Sequence, residues 1–231
     1  MAKKIAAVLL LFWQWMIPVA AQGTCEVFYV LEAGKRWEYQ TYDAKGKPES
    51  RIYQEVKSLA QQPEGGMEAL IENRATDKNG KALTQGTFRL ICKEDVLKMD
   101  LMTSLSPEVM QSLSNMEITV EGTEMLLPAA LSKGQELPDA YTNIKAGMQG
   151  VAIVNMTIAS TNRKVEDQEL LQTPAGNFDC YRISYDLSIK TLIKKTYRVV
   201  EWYAKGAGMV RSETYDQKGK LEHSMELVLL N

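Results

Sequence analysis

Three segments of the chain repeat one short pattern, Asp, two residues, Gly, Lys: Asp43-Ala44-Lys45-Gly46-Lys47, Asp77-Lys78-Asn79-Gly80-Lys81 and Asp216-Gln217-Lys218-Gly219-Lys220. An Asp side chain bonds its own backbone and starts a type I turn, and a Gly takes the left-handed position that closes it. Each copy therefore predicts the tip of a β-hairpin with a bulge at the Gly. Between these tips apolar and polar residues alternate with a period of two, the pattern of antiparallel strands. Strands are expected over 26–31, 36–43, 49–58, 67–76, 82–92 and 95–102, and again over 149–162, 164–172, 178–188, 194–204, 208–215 and 220–229. Ser106-Pro107-Glu108 opens a short helix near 106–114, with Ser as N-cap and Pro at the first helical position. Residues 120–147 carry turns and short strands and read as an excursion from the sheet. The expected fold is mainly β: one large curved antiparallel sheet or open half barrel with a short helical insertion.

The N-terminus constrains location. Lys3 and Lys4 precede an apolar run from Ile5 to Ile17, and Val19-Ala20-Ala21 follows. A charged start, a short apolar middle and a small-residue exit make a secretory signal peptide over residues 1–21, with cleavage between Ala21 and Gln22. The run is shorter than the roughly 20 apolar residues of a spanning helix. The mature chain, 22–231, is then a single β-rich domain that is periplasmic or secreted. Cys25 lies just past the cut. The triplet Gln22-Gly23-Thr24 matches lipoprotein processing poorly, so a lipid anchor at Cys25 ranks below simple cleavage.

Export places Cys25, Cys92 and Cys180 where a disulfide can form. Spacing alone does not separate the pairings. Cys25 with Cys92 is the favoured one, because a staple is useful at a loose N-terminus.

The formal charge of −2 becomes −4 once Lys3 and Lys4 leave, and no basic block remains. Nucleic acid is therefore excluded as the main partner. Lys194-Lys195, the densest basic pair, reads as a solvated strand face. No catalytic, cofactor or metal residues are assigned. The chain has no G-x-S-x-G elbow and a single histidine, His223. The cysteines are too far apart for a zinc site. Gly206-Ala207-Gly208 precedes no helix and is no phosphate loop. The acids Glu166-Asp167 and Glu64 with Glu68 read as charged strand faces. Met99, Met102, Met110, Met116 and Met125 group around the expected helix, and methionine suits both core filling and adaptable apolar pockets.

Several stretches carry a family resemblance. They are Gly34-Lys35-Arg36-Trp37-Glu38-Tyr39, Asn162-Arg163-Lys164-Val165, Thr173-Pro174-Ala175-Gly176-Asn177-Phe178-Asp179-Cys180-Tyr181 and Glu201-Trp202-Tyr203-Ala204-Lys205-Gly206-Ala207-Gly208. In these the chain resembles a family of exported bacterial proteins labelled TapB-like. The resemblance implies an exported β-rich protein and supplies no catalytic residues.

The expected function is that of a non-enzymatic envelope protein binding an apolar small molecule, a lipid or a lipidated partner, with the methionines as pocket residues. The alternative is a structural or protein-interaction component of the envelope, with exposed strand edges as its contact surface.

Overall fold

The computed structural model describes residues 28–105, 107–149 and 151–231. The signal segment 1–21, the Ala21–Gln22 cut, Cys25 and the Ser106 cap lie outside them. The strands are β1 (Arg36–Asp43), β2 (Pro48–Gln61), β3 (Met67–Asp77), β4 (Ala82–Lys93), β5 (Val96–Met99), β6 (Glu117–Gly122), β7 (Met125–Pro128), β8 (Glu136–Leu137), β9 (Ala140–Met148), β10 (Val151–Thr173), β11 (Gly176–Lys190), β12 (Lys194–Ala204), β13 (Gly208–Tyr215) and β14 (Leu221–Leu230). A 3₁₀ turn at Leu101–Ser104 and one short helix, α1 (Pro107–Leu113), complete the described elements. The strands form one sheet in the order β6-β9-β10-β11-β12-β13-β14-β1-β2-β3-β4-β5-β7, with β8 on the side of β10. Every pairing is antiparallel, and the sheet does not close into a barrel.

The three Asp-x-x-Gly-Lys tips are built alike. In the first, Asp43 Oδ1 accepts the amides of Lys45 and Lys47, both at 2.8 Å. Gly46 N–H donates to Asp43 O, and Asp43 N–H donates to Lys47 O. The same bonds recur at Asp77 and Asp216. The bonds from the Lys47 and Lys220 amides hold the Asp43 and Asp216 carboxyls below their ordinary value. In a meander, alternate tips share one end of the sheet. All three therefore lie at the same pole, together with the β9–β10 and β11–β12 tips. The described N-terminal segment, the C-terminal end of β14 and the β12–β13 tip lie at the other.

The structure corrects the sequence reading in four places. Residues 26–31 make no strand where they are described; Tyr29 forms a single bridge to Ala207. The strand expected to reach 102 ends at Met99 and passes into the 3₁₀ turn, where Asp100 caps the Met102 amide at 2.8 Å. The two strands expected over 149–172 are one, β10. Asn162 takes a left-handed φ of 56° and the register slips between Thr161 and Lys164, so the strand bends without stopping. Finally, 120–147 is no excursion. Its strands supply both edges of the sheet, β6 beside β9 and β7 beside β5.

The curled inner face buries Trp37, Tyr39, Ile71, Ile144, Ile158, Ile183, Tyr185 and Leu227 almost completely. Phe28 and Tyr29 plug one end. Phe28 meets Tyr181 and Tyr203 edge-on, and Tyr29 meets Trp37 at 5.5 Å. The Trp37 indole donates to Ala207 O at 2.8 Å. Gly208 is required here: its φ is +78°, and a Cβ would sit 2.3 Å from the Tyr29 ring.

The edge strand β7 is held from across the curl by a side chain. Arg163, 3% exposed, donates to Leu126 O at 3.0 Å and to Pro138 O at 2.9 Å. Arg163→Ala would strand both carbonyls and leave the buried Glu201 without its nearest cation. It is expected to destabilise the fold by ~3–5 kcal/mol. Arg163→Lys should recover only part, because an ammonium cannot reach both carbonyls in a fork. Urea unfolding midpoints of the two variants check this.

Candidate functional site

Strand β12 alternates Val199, Glu201 and Tyr203 onto the inner face, so its register carries one acid into the core. Glu201 is 8% exposed. Its carboxylate accepts Tyr185 OH at 2.8 Å and Tyr203 OH at 2.9 Å. Burial raises its pKa above the usual carboxylate value, against the pull of the two hydroxyls and the Arg163 charge. Burial likewise pushes Tyr29 up to about 12 and Tyr203 well above the ordinary range. The Tyr29 hydroxyl is held by the Met209 amide at 3.2 Å. That of Tyr39 lies beside it without a well-formed bond. The result is a closed polar knot in an apolar interior. Tyr185 and Tyr203 donate to Glu201 and the Met209 amide donates to Tyr29, while the Tyr39 hydroxyl and Arg163 Nε have no hydrogen-bond partner among the described residues.

The residues singled out from sequence land as follows. Met99 and Met125 are paired across β5 and β7 and lie in the core. Met102, Met110 and Met116 pack against that core half-buried. An inner cavity and an outer groove are both lined by residues other than these methionines. The inner one, beside Phe28, Tyr29, Cys92 and Leu127, holds about 10 Å³, room for one water at most. The outer one is an open groove of about 260 Å³ over β1, β2 and β3. Within it Arg36 meets Glu55 at 2.9 Å, and Arg74 lies over the Tyr53 ring.

Cys180 is a buried free thiol, and burial pushes its pKa up to about 12. It is protonated at neutral pH, which removes its nucleophilic form. His223 sits near the start of β14, exposed, with Glu49 at 3.2 Å. The structure does not bring the two together. Glu166 faces Arg198 and Ser184, Asp167 faces Lys133, Glu64 faces Lys93, and Glu68 faces Arg89. The acids read from sequence as strand-face charges are ion-paired there. Cys92 is buried and engaged. Among the described residues no cluster of three or more His, Cys, Asp or Glu could hold a metal ion. No described helix is long and apolar enough to cross a membrane.

The two sheet edges differ. β7 is buried along most of its length and tied by Arg163. All six residues of β6 are exposed, and its outer edge meets no other described strand. Ile118 and Val120 oppose Ala146 and Ile144, so they lie on the core face of the sheet, yet they are 39% and 42% exposed. Glu117, Thr119 and Glu121 point the other way. This is an open, amphipathic strand edge.

The profile of the DUF3108-like family matches residues 32–227. The chain belongs to the DUF3108-like family. The TapB-like label has no counterpart in the matches. Two solved structures share the fold of this DUF3108-like chain. One is a protein of YmcC-like fold from Bacteroides fragilis, provisionally described as exported. It is 23% identical, with a TM-score of 0.75 over 90% of this chain and 100% of that one. The other, from Parabacteroides distasonis, is provisionally described as a lipoprotein. It is 24% identical, with a TM-score of 0.76 over 90% of this chain and 99% of that one. No curated protein matches the chain.

Sequence reasoning missed Glu201 and Arg163. The signal for Glu201 was present, since an acid stands in phase with Val199 and Tyr203. Arg163 gave none, because its partners are carbonyls of distant strands.

The raised pKa of Glu201 gives a signed expectation. The native state binds this proton more tightly than the unfolded chain, whose ordinary value is 4.5. Stability is therefore lost as pH rises from about 4.5 through the raised native value. Glu201→Gln should remove that loss. The variant's urea midpoint, relative to wild type, should rise with pH across this window and level off above it; parallel profiles would contradict the assignment.

Proposed function

We propose that this DUF3108-like protein is an exported component of the cell envelope that works by binding, and that its partner is a protein segment adding a strand to β6. The open β6 edge carries the reading. Strand addition uses unpaired backbone groups for affinity and alternate side chains for choice of partner. The exposed Ile118 and Val120 would pack under apolar residues of the added strand. Glu117 and Glu121 on the opposite face favour basic residues there. Export is supported by the charged and apolar N-terminus and by relatives described as exported and as a lipoprotein. A binding role fits a protonated Cys180 and an outlying His223. We also propose that Cys25 pairs with Cys92, since Cys92 is engaged and Cys180 is free.

A photo-crosslinking residue at Thr119, introduced into the protein in its native envelope, should give an adduct of one defined mass. Val120→Lys, which sets a charge on the apolar side of the edge, should abolish that adduct and change stability by less than about 1 kcal/mol. Adduct formation no stronger than at an exposed control site, Ser112, would overturn strand addition. Intact mass of the exported protein should give Gln22 as first residue, and a non-reduced digest should hold the Cys25 and Cys92 peptides together. An acylated Cys25, or separate peptides, would refute these two assignments.

A further inference from the structure

The β11–β12 hairpin ends unlike the other tips of its pole. Where the β1–β2, β3–β4 and β13–β14 turns are polar Asp-x-x-Gly-Lys loops, this one reads Lys190-Thr191-Leu192-Ile193-Lys194-Lys195, and all six residues are exposed. Leu192 is 103% exposed and Ile193 is 72% exposed. Neither side chain contributes to the core, and a polar turn would serve the fold as well. The three lysines flank the aliphatic pair: Lys190 opposes Lys194, and Lys195 opposes Ile189. None of them forms an ion pair among the described residues. Asp186 of β11 and Glu166 of the neighbouring β10 face Arg198 instead. Asp216 on the neighbouring tip is bonded to its own turn amides. The adjoining β9–β10 tip also exposes Met148 and Val151.

We infer that this tip docks the protein on an anionic phospholipid surface, with Leu192 and Ile193 entering the acyl boundary and Lys190, Lys194 and Lys195 among the headgroups. Two projecting aliphatics within a ring of uncompensated cations match the two parts of such a surface, apolar below and negative above. The mild negative charge of the whole chain does not oppose this, because screening limits the field to about 8 Å at physiological salt. The inference is independent of the β6 reading, which concerns another edge.

Sedimentation of the mature chain with vesicles of 30% phosphatidylglycerol in phosphatidylcholine, against pure phosphatidylcholine, tests it. Binding is expected to the anionic vesicles alone and to weaken with salt. Lys194→Gln and Lys195→Gln should each reduce it about fivefold. Leu192→Ser and Ile193→Ser should each reduce it by about tenfold or more. Leu192→Trp should bind and show a blue-shifted emission, reporting entry into the apolar layer. All of these are surface changes, and unchanged circular dichroism checks that the variants fold. Equal binding to neutral vesicles, salt-dependent binding indifferent to Leu192 and Ile193, or self-association in place of vesicle binding would each overturn the inference.

Discussion

An antiparallel sheet that curls until its edges approach, but does not zip them together, needs another way to hold its curvature. Here that is the guanidinium of Arg163. It reaches from the bend of β10 to carbonyls on β7 and just ahead of β9, and it is the cation nearest the core carboxylate of Glu201. The bend places it. Asn162 in a left-handed conformation and the register slip beside it turn the strand so that a long basic side chain points inward. Glu201 and its two tyrosines then bind β11 to β12 from within. Such an arrangement is costly to desolvate and unforgiving if any member is lost, so it fixes one geometry more than it adds stability.

The methionine group admits two readings, core filling and a pocket. A curved sheet with flexible side chains under a short helix is an arrangement that can hold an apolar guest. In this chain Phe28 and Tyr29 fill one end, and Met99 and Met125 are buried in the core where β5 pairs with β7. The cavity beside Phe28, Tyr29, Cys92 and Leu127 is water-sized. On the outside, the sheet offers one tied edge and one open edge.

The hairpins were legible in the sequence because their signals are local: an Asp that bonds its own turn, a Gly that completes it, and alternation on either side. The β-rich class and the short helix near 107–113 were legible for the same reason. What was not legible depends on distant partners. β6 and β7 are consecutive in the chain and stand at opposite edges of the sheet, a placement set by which strands they meet and not by their own residues. Bulges hide as well. In β14 the alternation puts Leu229 with Leu227, but the register slips between Glu38 and Tyr39, so Leu229 turns outward at 40% exposure and Leu230 packs inward. The acid in β12 was readable from its phase. The open edge and the lysine-flanked tip needed the fold, since exposure is not a property of sequence.

The two poles of the sheet differ in one more respect. Phe28 enters, and Asn231 leaves, at the pole opposite the β11–β12 tip. A protein held by its N-terminal end would therefore present its basic, aliphatic tip away from the point of attachment. The length of the strands would then become a reach, with the open flank of β6 running along it.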